Sequence, residues 1–137
     1  MKLRGGGERG VRIAAPGAAL LAVLLVAGCA TKPADPTLPK SVRDHAMSPY
    51  AMHEECLSAA VGERIEYYFT STLSVDFNIH YHEAGAVLMP IARDKSREDS
   101  GVFVAPIAQD YCLMWEAGPA GAVLDYRYRL RPAVDPT

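Results

Sequence analysis

The clearest pattern in the chain is a period of two. Val75, Phe77, Ile79 and Tyr81 alternate with Asp76, Asn78, His80 and His82, and Ile65, Tyr67 and Phe69 alternate with Arg64, Glu66 and Tyr68. Successive side chains of a strand point to opposite faces, so such runs predict half-buried strands with one face in a core and the other in water. Further strands are predicted over residues 86–92, 101–107, 111–116 and 123–130. They are broken by Glu83-Ala84-Gly85, the charged run 93–100 and Gly118-Pro119-Ala120-Gly121. Residues 41–52 show no clear period, and a helical turn is the most they suggest. Short strands at roughly ten-residue spacing, with no helix-period segment after the N-terminus, predict an all-β fold: an antiparallel β-sandwich, jelly-roll-like in arrangement.

The N-terminus breaks this pattern. Lys2, Arg4, Arg9 and Arg12 precede 15 uncharged residues, 13–27. A cationic start and an apolar stretch of that length read as an export signal, because a spanning helix needs about 20 apolar residues. Removing residues 1–28 takes away four of the 14 basic side chains and one of the 16 acidic ones, which leaves a mildly acidic mature chain. With no basic run, the chain has little to neutralise a phosphate backbone, so no nucleic-acid partner is expected. Gly5-Gly6-Gly7-Glu8-Arg9-Gly10 matches a dinucleotide fingerprint in letters only, since no strand precedes it.

The apolar stretch ends in Leu25-Val26-Ala27-Gly28-Cys29. This resembles the lipobox of bacterial lipoproteins, and the resemblance implies a lipidated Cys29 as the first mature residue. Several acyl chains on one residue hold a protein stably at a membrane. Ala30, with no Asp there, implies the outer membrane, facing the periplasm. Pro33, Pro36 and Pro39 then suggest an extended tether. The expected organisation is a signal over 1–28, Cys29 and its tether over 29–44, a sandwich domain over 45–131 and a tail over 132–137.

Export places Cys56 and Cys112 in an oxidising compartment, where they are either a disulfide or two buried thiols. A bridge would close a loop long enough to contribute roughly 4 kcal/mol in the chain-entropy picture.

The order Glu55-Cys56-Leu57, Gly62-Glu63-Arg64-Ile65, Val75-Asp76-Phe77-Asn78-Ile79, Gly101-Val102-Phe103, Asp110-Tyr111-Cys112-Leu113-Met114-Trp115-Glu116 and Leu124-Asp125-Tyr126-Arg127 resembles the GOLD domain. That β-sandwich is known from secretory cargo receptors and lipid-transfer proteins. Cys112 stands two residues earlier than the family's second cysteine, on the same face. The resemblance implies a non-catalytic binding module, with no catalytic residues and no cofactor to carry over.

Catalytic chemistry finds no other foothold. No nucleophile elbow and no H-E-x-x-H zinc motif occur. His80 and His82, at i and i+2 on a strand, project from one face and suggest a copper or zinc site as the alternative function. A third ligand would come from a neighbouring strand or from the lead-in, where His45, Met47, Met52 and His53 supply soft and imidazole ligands. The possible ligand face combines Asp76 and Asn78 with Arg127 and Arg129. The arginines suit an anionic group if their strand adjoins the His80 strand.

Overall fold

The computed structural model describes residue 35 and residues 37–134. The predicted signal, Cys29, most of the tether and residues 135–137 lie outside the described residues. The rest is all-β, with six antiparallel strands: β1 Lys40–Met47, β2 Met52–Ala59, β3 Arg64–Glu83, β4 Ala86–Val104, β5 Gln109–Ala117 and β6 Ala122–Arg131. They join in the order β1-β6-β3-β5-β2, with β4 on the other side of β3.

The register shows how one hydrogen-bonded sheet becomes two layers. Residues 64–71 of β3 pair with β6, and residues 75–80 pair with β5. β4 follows β3 along nearly its whole length on the opposite side. The long β3–β4 hairpin therefore bends at residues 72–74, all exposed, and contributes half of itself to each layer. Layer 1 is β1, β6, the first half of β3 and the end of β4. Layer 2 is β2, β5, the second half of β3 and the start of β4.

The predicted inward positions fill the space between the layers. Ile65, Phe69, Phe77, Ile79, Leu113, Trp115 and Leu124 are fully buried. Trp115 of layer 2 lies 4.7 Å, centroid to centroid, from Tyr126 of layer 1, and Phe69 lies 4.9 Å from Phe77. Burying each such side chain contributes roughly 1.5–3 kcal/mol, which makes this seam of rings the main cohesion between the layers.

Two of the turns with positive φ fix the chain path. Ala84 and Gly85 (φ 49° and 81°) connect Glu83 to its partner Ala86 in a two-residue hairpin, a geometry that matches strand twist. Gly121, at φ 69°, sits where a Cβ would come 2.5 Å from Met47 O.

The structure differs from the sequence reading at four places. Lys40–Met47 is a strand paired with β6, not tether or lead-in, so the sandwich begins at residue 40 and not 45. Its period is hidden by a bulge: Asp44 has φ 55° and donates its N–H to the Asp125 carboxylate at 2.7 Å. β2 is a full strand beside β5. The run 93–100 is strand rather than a break, because β4 is an edge strand and charge there costs no burial while discouraging edge-to-edge pairing. β3 is one strand, where two were expected.

Candidate functional site

Outward residues fall into rungs, and the rungs decide which predicted site residues meet. On layer 1 the outward rungs are Val104–Arg64–Arg131, Val102–Glu66–Arg129 and Ser100–Tyr68–Arg127. On layer 2 they are Cys56–Cys112–His80 and Glu54–Met114–Asn78–Ala92. Arg127 and Arg129 therefore lie on the opposite outer surface from Asp76 and Asn78, and the expected single ligand face is two faces. The arginine strand adjoins the first half of β3, not the half that carries His80.

The layer 1 face is open. Arg127 sits over the Tyr68 ring at 4.8 Å, an arrangement that fixes a guanidinium above an aromatic plane. Glu66 accepts from Arg129 Nε at 2.6 Å and Arg131 Nε at 3.2 Å. Those hydrogen bonds, Arg129 foremost, hold the Glu66 carboxyl below its ordinary range. A groove of about 700 Å³ runs between these residues, Pro39 and Val102. Four arginines face one glutamate here, and Val102 and Val104 are exposed beside them.

The layer 2 face is closed at its centre. Asn78 and His80 point outward but are only 8% and 4% exposed, a correction to the expectation of a wet face. His80 Nδ1 bonds Asn78 Oδ1 at 2.7 Å, and His80 Nε2 meets a Glu54 oxygen at 3.0 Å. Cys56 and Cys112 are joined in a disulfide directly across β2 and β5. A ring nitrogen of His80, a Glu54 oxygen and Cys112 Sγ lie within 4.8 Å of one another. With that sulfur in the disulfide, the trio offers a metal only the His80 nitrogen and the Glu54 carboxylate, which already face each other at 3.0 Å. His82 is exposed, its ring 5.3 Å from that of His80. Asp76 serves the backbone: its carboxylate accepts the N–H of Lys95 at 2.7 Å, where β4 turns through φ 49°.

The expected third metal ligands are elsewhere. Met47 is in the core, Met52 is exposed at the start of β2, and His45 and His53 point inward. Their rings are 4.0 Å apart, across the seam where edge strands β1 and β2 of opposite layers meet. That seam is a polar network that the sequence reading missed. Glu55 accepts from Lys40 Nζ at 2.6 and 2.7 Å, from Tyr126 at 2.6 Å and from Tyr128 at 3.1 Å. His53 Nε2 is 2.8 Å from the Tyr126 hydroxyl. Burial pushes the Glu55 carboxyl up, but the Lys40 and Tyr126 hydrogen bonds, the Lys40 charge and the Tyr128 bond together hold it below its ordinary value. Burial, then the neighbouring His45, hold His53 below its ordinary value. Burial and Glu55 push Tyr126 and Tyr128 well up, so both remain donors. A glutamate in step with Leu57 and Ala59 on one strand face was the available signal.

No protein-family model matches this chain, and no curated protein matches it.

Proposed function

We propose that this protein is a non-enzymatic binding module of the cell envelope, held at a membrane by lipidated Cys29 and facing the periplasm. Its recognition surface is the outer face of layer 1, and its ligand is an anionic group with an apolar flank. The observation that carries this reading is the groove in which Arg127 over Tyr68, and Arg129 beside it, stand next to Pro39 and Val102. Guanidinium donors fit carboxylate and phosphate oxygens, and the valines and the tyrosine ring cover the apolar part. The lipobox and the GOLD-like order of motifs support the location and the non-catalytic role. The alternative, copper or zinc binding by His80 and His82, is weakened because His80 Nδ1 is bonded to Asn78 and Nε2 is occupied by the Glu54 carboxylate at 3.0 Å.

Two measurements test the reading. Labelled palmitate should enter the wild-type chain and not Cys29→Ala; label in neither removes the anchor. A photo-crosslinking side chain at Val102 should capture a partner in cells, and one at Met52, on the other layer, should not. Capture at Met52 alone, or loss of no signal in Arg127→Ala/Arg129→Ala, would move recognition off layer 1.

A further inference from the structure

The Cys56–Cys112 bond is asymmetric in its surroundings. Cys56 is exposed, whereas Cys112 is 7% exposed and shares its rung with buried His80. A thiol arriving from solution therefore meets one sulfur, and the other sulfur is the leaving group. His80 is held by Asn78 Oδ1 at 2.7 Å from Nδ1, and its Nε2 faces a Glu54 carboxylate oxygen at 3.0 Å, an acceptor for an Nε2–H. An N–H donor beside a departing sulfur stabilises the thiolate, and a better-stabilised thiolate leaves faster.

We infer that the Cys56–Cys112 disulfide is a thiol–disulfide exchange site, with Cys56 the sulfur attacked and His80 the group that assists departure of Cys112. A thiolate RS⁻ attacks Cys56 Sγ, the Cys56–Cys112 bond breaks, and its electron pair leaves on Cys112 Sγ. His80 Nε2–H turns from Glu54 to that sulfur and hydrogen-bonds the departing thiolate. A second thiolate then attacks the R sulfur of the mixed disulfide, releasing Cys56 as thiolate and RSSR. Two thiols are oxidised and one protein disulfide is reduced. The inference is independent of the layer 1 groove and of Cys29.

The test treats the oxidised chain with glutathione, quenches aliquots by alkylation and maps the adduct by mass. The mixed disulfide is expected on Cys56, at a rate that stays flat across sub-denaturing urea. His80→Gln should slow it at least tenfold with the near-ultraviolet signal of Trp115 unchanged. Glu54→Gln, at an exposed position, should speed it several-fold by freeing Nε2–H. Reduced thioredoxin outpacing glutathione at equal thiol concentration would assign the thiol to a protein, and the reverse to a small molecule. An adduct on Cys112, equal rates in wild type, His80→Gln and Glu54→Gln, or a rate that climbs with urea in step with unfolding would overturn the inference.

Discussion

On layer 1 the outward side chains of β3, Glu66 and Tyr68, reach solvent and pair loosely with arginines. On layer 2 the outward side chains of the same strand, Asn78 and His80, are sealed under Glu54 and the disulfide. Both sets obey one alternation, so periodicity says which way a side chain points and nothing about whether water is there. The difference comes from the neighbours in each rung. Long charged side chains stand off the sheet with their ends hydrated, whereas a disulfide and short polar groups lie flat and close over one another.

The largest expected effect follows from the covalent half of that contrast. Cys56→Ala/Cys112→Ala should lower the denaturant-derived stability by roughly 4 kcal/mol, as expected for opening a loop of this length. Tyr68→Ala/Arg127→Ala, at the matching place on layer 1, should cost less than about 1 kcal/mol. Comparable losses would mean that the two faces are equally structural.

Next comes the hydrogen-bonded half. Asn78→Ala leaves His80 Nδ1 buried without its partner and should cost about 1–3 kcal/mol, whereas Thr70→Ala on layer 1 should stay within about 0.5 kcal/mol. Thermal denaturation of the pair checks this.

Acid should act most on the seam between the layers, since the lowered Glu66 carboxyl of layer 1 is solvent-screened. His53 in the folded chain lies below its ordinary 6.5, so the unfolded chain takes up the proton first. Stability should therefore begin to fall as pH drops past about 6.5 and level off below the lowered folded value. Glu55 lies below its ordinary 4.5, so its contribution is present above that value and is lost as pH falls through the lowered one. Denaturant midpoints against pH should show both limbs, and His53→Gln should flatten only the first. The smallest effect on stability and the largest on recognition is expected for Arg127→Ala, below about 0.5 kcal/mol in unfolding. Loss of crosslinking at Val102 is its readout.

The sandwich, its inward residues and the chance of a Cys56–Cys112 pair could be read from the sequence because alternation and export are local signals. β1 could not be, since the Asp44 bulge interrupts its period, and neither could the strand through residues 93–100, since an edge position removes the burial that creates alternation. The separation of Arg127 and Arg129 from Asp76 and Asn78 depends on which half of β3 each strand joins. The Glu55 network arises where two ends of a sheet meet after it has folded over, a closure that no window of neighbouring residues encodes.

The bent hairpin makes the sandwich resemble a book with a double spine. A protease cutting at Leu73, in the exposed corner of β3, would not free one cover from the other, because β4 still spans both halves of β3 on its far side. Such a nicked chain should migrate as one particle and melt in one step, and a surface carried on either cover would survive damage at the fold's most accessible corner.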